Sequence, residues 1–245
     1  MIKAVFSPTG GTRRIADAVA PSARFVDLCA PVSACTVEEA LLVVLPVFAG
    51  RVPEVALERL QMLTPRPGTP AVAVVVYGNR AYEDALAELH AALSQQGYLV
   101  LAAAAFVAEH SVIRSIAAGR PNAEDKAAAA AFGRAVMERL ALPAEEWQPV
   151  AVPGNPAPGE RKKMPVTPQV GEACGFCGCC AAVCPVGAIP ADAPDTTDAS
   201  RCILCMRCVA ECPTGARHLP PPMVAMMTAR LNAVAAEPKA PDLFL

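Results

Sequence analysis

Cysteine is the residue type whose spacing points most clearly to chemistry in this chain. Of its eleven cysteines, nine lie between Cys174 and Cys212, in two runs that begin 28 residues apart, at Cys174 and Cys202. Thiolate sulfur is soft and polarisable, which suits it to iron–sulfur clusters and to zinc. No export signal is visible at the N-terminus, so the protein is expected in the cytoplasm. In a reducing compartment, clustered thiols indicate metal or redox chemistry rather than disulfides.

Each run contains the spacing C-x2-C-x2-C-x3-C-P, which is typical of proteins that bind two 4Fe-4S clusters. Three thiolates separated by two residues each can wrap a tight loop around one face of a cluster. The three-residue step carries the fourth cysteine away, and the proline directs the chain toward the other cluster. The spacing therefore predicts one cluster held by Cys174, Cys177, Cys180 and Cys212, and a second held by Cys202, Cys205, Cys208 and Cys184.

Two further features of the cysteine segment bear on this prediction. Cys179 is left over, because its use in place of Cys180 would break the spacing, and it is predicted to be a free thiol beside the cluster. Zinc is the alternative metal, since pairs of C-x2-C also build zinc ribbons. Two complete four-cysteine runs, each ending in Cys-Pro, exceed what a zinc ribbon needs and favour iron–sulfur clusters.

A second candidate site is the loop Ser7-Pro8-Thr9-Gly10-Gly11-Thr12, which follows the first predicted strand and leads into a helix. The two glycines let the backbone turn sharply and expose consecutive N–H groups. A helix N-terminus favours an anion, so this neutral, hydroxyl-rich loop suits one phosphate monoester. It lacks the G-x-G-x-x-G and P-loop patterns of other nucleotide sites. The alternative is a plain helix N-cap in which the glycines serve only the turn.

The elements that position this loop are predicted by alternating apolar runs and helical patterns over residues 1–141. The apolar runs are those expected of strands buried on both faces of a parallel sheet. The predicted strands are Ile2–Phe6, Arg24–Asp27, Leu41–Val47, Ala71–Tyr77 and Tyr98–Val107, and the predicted helices are Thr12–Val19, Pro53–Leu60, Tyr82–Gln95 and Ala123–Leu140. This alternation predicts an α/β fold with a doubly wound, parallel, five-stranded sheet.

Two more loops belong to the same edge of the predicted sheet. Residues Pro46–Pro53 follow the third strand and residues Tyr77–Asp84 follow the fourth. In a sheet of the assumed order 2-1-3-4-5, ligands bind at the carboxyl ends of the strands. We therefore expect these loops to meet the loop Ser7–Thr12 at one site. His110, after the fifth strand, is predicted to be a loop residue with a satisfied hydrogen bond; the alternative is a proton carrier at the site.

The rest of the chain divides by composition. Residues 142–170 contain seven prolines and no apolar periodicity, which predicts an extended linker. Residues 171–219 hold the cysteine runs, and such a short segment needs cluster assembly to contribute to its folding. Residues 220–245 are predicted to contain a helix, at Met223–Val234, and then a mobile tail.

Together, the S-P-T-G-G-T loop, the two further loops and the duplicated cysteine run resemble the flavodoxin–ferredoxin fusion proteins of anaerobic prokaryotes. The resemblance covers nearly the whole chain and implies a flavodoxin-like domain that binds FMN. It implies that the phosphate lies at Ser7, Thr9, Gly10, Gly11 and Thr12. The isoalloxazine ring would lie between Pro46, Val47, Phe48, Ala49, Gly50 and Arg51 on one side and Gly78, Asn79, Arg80 and Tyr82 on the other. Phe48 and Tyr82 are the candidates for aromatic side chains beside the ring.

The resulting hypothesis is electron transfer between FMN and two 4Fe-4S clusters, and onward to redox partner proteins. An electron carrier is favoured over a flavin reductase, because the sequence offers no pocket for a small substrate. The other alternative is a two-cluster ferredoxin whose α/β domain binds no flavin and serves as a docking module. The net charge of −2 argues against nucleic-acid binding. Apolar runs of about ten residues are too short to span a membrane.

Overall fold

The computed structural model of the protein describes residues 1–161 and 164–245. A 3-10 turn lies at Ala144–Glu146. Within the described residues, the strands are β1 (Ile2–Val5), β2 (Arg24–Asp27), β3 (Cys35–Val37), β4 (Leu41–Pro46), β5 (Leu63–Pro65), β6 (Pro70–Tyr77), β7 (Leu99–Val107), β8 (Gln169–Val170), β9 (Arg217–His218) and β10 (Asp242–Phe244). The helices are α1 (Gly11–Val19), α2 (Glu54–Leu60), α3 (Ala85–Gln95), α4 (Ala123–Leu140), α5 (Cys179–Val183), α6 (Arg207–Ala210) and α7 (Pro221–Asn232).

A six-stranded sheet with the order β10-β7-β6-β4-β1-β2 forms the centre of the fold. Five of its strands are parallel, and β10 pairs antiparallel with β7 at the edge. This confirms the α/β fold, but the sheet that was predicted as parallel and five-stranded has a sixth, antiparallel strand. Numbered along the chain, the five parallel strands follow the assumed order 2-1-3-4-5. Every residue of β4 and β6 is buried, as their unbroken apolar sequences require.

Helices cover both faces of this sheet. Helices α1 and α4 pack on one face, and α2 and α3 pack on the other. Gly133 in α4 allows the first pair to approach closely, because a Cβ at this position would lie 2.0 Å from the carbonyl oxygen of Val19. The N-terminus of α4 carries a capping box, in which Asn122 and Asp125 each accept a hydrogen bond from the other's backbone N–H. The loops of the predicted site begin at the carboxyl ends of the parallel strands, between the two helix layers.

The proline-rich segment predicted as a linker runs along the surface of the α/β region. The N–H of Val150 donates to the carbonyl of Val100, at 2.9 Å, and the N–H of Asn155 donates to the carboxylate of Asp84, also at 2.9 Å. Arg161 donates to the carbonyl of Val52 at 2.6 Å. Lys162 and Lys163, which continue the charged run from Arg161, lie outside the described residues. The segment is thus attached to the sheet domain at several points along its length.

The C-terminal tail was predicted to be mobile, and the structure differs. Residues Asp242–Phe244 form β10, in register with Ala103–Ala105 of β7. Before this strand, Leu231 of α7 and Ala235 pack with Ile113 and Ile116 in the loop after β7. An edge strand has unpaired N–H and C=O groups, and the tail forms backbone hydrogen bonds with those of β7. The chain therefore returns to the α/β domain after the cysteine segment.

The cysteine segment has little regular structure of its own. Strands β8 and β9 pair antiparallel beneath it, and α5 and α6 are single turns that each follow a loop of one cysteine run. In the part of the chain that the structure describes, no helix is both long enough and apolar enough to cross a membrane.

Candidate functional site

The two cysteine runs have the same backbone conformation. Three positions in each run have a positive φ, and the partners are 28 residues apart: Phe176 and Leu204 (both 53°), Gly178 and Met206 (73° and 63°), and Gly187 and Gly215 (59° and 66°). A positive φ is unfavourable for Phe, Leu and Met. Its recurrence at one equivalent pair without glycine, Phe176 and Leu204, indicates that the two loops have the same local structure.

The first group of thiols brings together Cys202, Cys205, Cys208 and, from the other run, Cys184. Burial, together with negative charge at Cys208, Cys184 and Cys202, raises the pKa of Cys205 to about 12. Burial likewise raises the pKa of Cys208 to about 11. These four cysteines line one small cavity, so the structure places Cys184 beside the second run. A bound iron reverses this effect, because positive charge deprotonates the thiols that coordinate it.

The second predicted ligand set is Cys174, Cys177, Cys180 and Cys212. Hydrogen bonds from Cys179 lower the pKa of Cys177, and negative charge at Cys212 raises it. Burial raises the pKa of Cys212, but hydrogen bonds from the backbone of Arg217 and from Thr214 outweigh this effect. The pKa of Cys212 is therefore lowered overall. Cys180 is buried and Cys174 is partly exposed. The predicted assignment of the fourth cysteine of each run to the other run's cluster stays a prediction.

Backbone N–H groups are directed at the sulfur atoms. The N–H of Ala188 donates to Cys184 Sγ at 3.2 Å, and the equivalent Ala216 donates to Cys212. Hydrogen bonds of this kind stabilise thiolates and tune the potential of a cluster. The two glycines with positive φ, Gly187 and Gly215, turn the chain so that these N–H groups face back toward sulfur.

Cys179 does not have a counterpart cysteine in the second run. The residue at the equivalent position, 28 residues later, is Arg207. The thiol of Cys179 is exposed and hydrogen bonds to Cys177. The predicted role as an extra thiol beside the site stays a prediction. Within residues 1–161 and 164–245, no three cysteine, histidine or carboxylate side chains gather closely enough to hold a single metal ion.

Arg217 secures the loop that connects the two runs. Its side chain is only 2% exposed. It donates to the hydroxyl of Thr197 at 2.8 Å, to the carbonyl of Thr196 at 2.9 Å and to the carbonyl of Pro194. Sequence reasoning missed this residue, because an arginine after a cysteine run carries no spacing signal.

Residues 196–218 match the 4Fe-4S binding domain family. The match covers the second cysteine run and its flanks. A search of the curated proteins found no match for the chain. The ferredoxin-type domain is the setting of an iron–sulfur cluster and indicates iron–sulfur electron transfer.

The ferredoxin-type domain contacts the α/β domain near the thiol group that contains Cys184. Arg59 of α2 donates to the carbonyl of Pro185, at 2.5 Å, and to the carbonyl of Leu28, at 2.8 Å. Beside this bridge lies a cleft of about 750 Å³, lined by residues 29–31 and by residues 182–187. No local pattern predicts this contact, because Arg59 resembles an ordinary surface residue of a helix.

The loop Ser7–Thr12 has the form expected of an anion site. Gly10 has a φ of 87°, and a Cβ built there would meet no described atom within 4 Å. The N–H of Arg13 donates to Ser7 Oγ at 2.9 Å, which leaves the hydroxyl proton of Ser7 for another acceptor. The N–H of Ser7 donates to Cys29 Sγ at 3.2 Å, which fixes the start of the loop. With Thr9 and Gly10 exposed at the N-terminus of α1, the loop fits a phosphate.

The two other predicted loops flank the same sheet edge, but their polar side chains bind other parts of the protein. Arg51 forms an ion pair with Glu88, with a distance of 2.6 Å. Asn79 is 2% exposed; it donates to the carbonyls of Ala235 and Glu237, at 2.7 and 2.9 Å. Burial raises the pKa of Tyr82, as does its hydrogen bond to Asp242. For the expected isoalloxazine ring, these loops offer mainly backbone peptide groups and the side chain of Phe48, which is partly buried.

The turn Phe48–Arg51 is closed by its own backbone. The backbones of Phe48 and Arg51 exchange two hydrogen bonds, at 2.8 and 3.1 Å. Ala49 and Gly50 between them have positive φ values of 51° and 80°.

His110 accepts hydrogen bonds at Nδ1 from the N–H groups of Val112 and Ile113. These contacts satisfy Nδ1 of the imidazole, as expected for a structural loop residue.

Proposed function

We propose that the protein transfers electrons between FMN and two 4Fe-4S clusters and passes them to redox partner proteins. The observation that carries this proposal is the repeat of one backbone conformation in both cysteine runs, of which the second matches a 4Fe-4S family. A loop of the same shape, with thiols at the same spacing, suits the same cluster. The proposed ligands are Cys174, Cys177, Cys180 and Cys212 for one cluster, and Cys202, Cys205, Cys208 and Cys184 for the other.

FMN is the second proposed cofactor, and the loop Ser7–Thr12 is its proposed phosphate site. When bound, FMN exchanges one or two electrons, whereas each cluster exchanges one. The chain's own residues bind and orient it: the hydroxyls of Ser7, Thr9 and Thr12 and the N–H groups of Gly10 and Gly11 hold the phosphate. The loops Pro46–Arg51 and Gly78–Tyr82 flank the ring. Because clusters of this type need reduced thiols, the cytoplasm is the proposed location.

A specific observation supports a second candidate function. Arg51, Asn79 and Tyr82 are held by contacts within the protein, so an α/β domain without flavin would leave none of them unpaired. In this alternative the protein is a two-cluster ferredoxin with a docking domain. The exposed end of the loop Ser7–Thr12 favours the flavin-binding form.

The experiment that separates the two is a cofactor analysis of protein purified without oxygen. The proposal predicts about eight iron atoms and one FMN per chain, with flavin bands above the broad thiolate-to-iron absorption. Eight iron atoms without flavin support the docking alternative. About four iron atoms per chain contradict the two-cluster proposal.

A further inference from the structure

The two cysteine groups differ in what surrounds them. The group that contains Cys184 faces the α/β domain, where Arg59 binds the carbonyl of Pro185. Gly187, in the turn after Cys184, is also covered: a Cβ there would lie 3.0 Å from the guanidinium of Arg201. We call this group the inner group.

The other group, which contains Cys177 and Cys212, faces outward, and we call it the outer group. Phe176 is 64% exposed and Cys177 is also exposed. A Cβ at Gly175, Gly178 or Gly215 would meet no described atom within 4 Å. Gly215 is the equivalent of Gly187, so the same turn is open in one half of the repeat and covered in the other.

A short route connects the two groups. Cys180 of the outer group and Cys208 of the inner group are both buried and pack with Ile189 in one small core. An electron on the outer group can therefore reach the inner group without leaving the protein. The outer group therefore does not need to contact the α/β domain itself.

Charge is also divided between the two ends. Between Met164 and Ser200 the sequence has no lysine or arginine. Arg201 and Arg207 line the cleft beside the inner group, while Arg217 is buried. Beside the outer group, Glu172 and Glu211 are exposed. Four thiolates and four sulfides also give each cluster a net negative charge, so the outer end is acidic around an exposed aromatic ring.

We infer that the outer group is the port at which a redox protein with a basic contact surface docks, with Phe176 at the centre of the contact. Electrons then pass between this port and the α/β domain by way of the inner group. Each encounter moves one electron, which oxidises one partner and reduces the other, with no bond made or broken. The inference rests on the proposed two-cluster function, and it adds the partner's chemistry and the order of the clusters.

The first test measures electron transfer to a basic haem protein, a c-type cytochrome, from the dithionite-reduced holoprotein by rapid mixing. The variant Glu172→Lys/Glu211→Lys reverses charge at the outer end. The matched control, Glu54→Lys/Glu58→Lys, makes the same change in charge on exposed residues of α2 beside the cleft. At low salt we expect the outer variant to slow the reaction by about tenfold or more, and the control by much less.

Salt separates docking from damage to the clusters. Because exposed charges are screened within about 10 Å at 0.1 M salt, the outer variant should approach the wild-type rate as salt rises. An equal effect of both variants, or none from the outer one, overturns the inference. A loss that persists at high salt does so too, since it would indicate altered clusters rather than weaker docking.

The second test does not depend on activity. A soluble dysprosium chelate speeds the electron-spin relaxation of nearby clusters, so the EPR signal of the outer cluster should respond more strongly than that of the inner one. Cys212→Ser and Cys184→Ser assign the two signals. Equal responses from two intact clusters overturn the inference while leaving the proposed function in place. A single cluster in the wild-type chain removes the proposed function itself, and the inference with it.

Discussion

Cys212 is the residue that most directly distinguishes crossed from local ligation. In sequence it belongs to the second run, four residues after Cys208, yet negative charge at Cys212 raises the pKa of Cys177 in the first. Its sulfur accepts hydrogen bonds from the backbone of Arg217 and from Thr214. These contacts fit a thiolate ligand of the outer cluster.

Changing Cys212 to Ser should therefore damage the outer cluster and leave the inner one intact. The variant loses one thiolate from the outer set, while Cys202, Cys205, Cys208 and Cys184 keep all four. Iron analysis should fall below about eight atoms per chain, and EPR should retain the signal of the inner cluster. Cys179→Ala, which removes a neighbouring thiol outside the proposed ligand set, is the matched control and should keep both signals. Loss of the inner signal first would show that the ligand assignment is wrong.

Thr9 and Thr12 carry the phosphate part of the account. Replacing both with Val removes two hydroxyl donors from the loop and keeps the side-chain shape. Each hydrogen bond to a charged group is worth about 1.5–3 kcal/mol, so FMN affinity should fall at least about tenfold. Riboflavin, which lacks the phosphate, should bind nearly as before in fluorescence titrations. Thr64→Val, at an exposed position of β5, is the control and should change neither affinity. Equal losses for both ligands would mean that the loop does not bind phosphate.

At the scale of elements, sequence pattern was sufficient where burial dictates the residues. The continuous apolar runs of β4, β6 and β7 have no other stable place than a sheet covered on both sides, and their ends were predicted closely. The helix Ala123–Leu140 was predicted with both ends correct, because Asn122 is a strong capping residue.

The elements that sequence reasoning missed depend on partners far along the chain. Strand β10 has only three residues, and it is a strand because the edge of β7 is available to it. Strands β3 and β5 are equally short and pair only with one another. Asn79, after β6, resembled a loop residue near a ligand. Its side chain instead binds Ala235 and Glu237, contacts that no local pattern encodes.

Removing Asp242–Leu245 tests the role of the tail as a sixth strand. Without β10, the edge of β7 loses its antiparallel partner, so the amides of Ala103–Ala105 should exchange hydrogen faster in mass-spectrometric measurements. Peptides from β6, which lies between two other strands, should keep their protection. Deleting Leu245 alone is the control, since this residue lies beyond the strand. Unchanged exchange at Ala103–Ala105 in the longer deletion would contradict the pairing.

At the scale of the whole molecule, the ferredoxin-type domain is attached to the α/β domain from both directions. The segment before it is anchored by contacts such as Val150 with Val100, and the tail after it returns to β7. Arg59 adds a direct bridge to Pro185. Covalent joining gives the two domains a high effective concentration, and these attachments further limit how they move apart. The turn after Cys184 is thereby kept near the α/β domain.

The central claim, that electrons pass between the clusters and FMN within one chain, is tested most directly by anaerobic rapid mixing. A ferredoxin-type donor reduces the clusters, and bleaching of the flavin is followed at several protein concentrations. We predict that the cluster-to-flavin phase has a rate independent of protein concentration, because donor and acceptor belong to the same molecule. A rate that rises with protein concentration would contradict the account. So would a chain with reduced clusters whose flavin stays oxidised despite a favourable measured difference in potential.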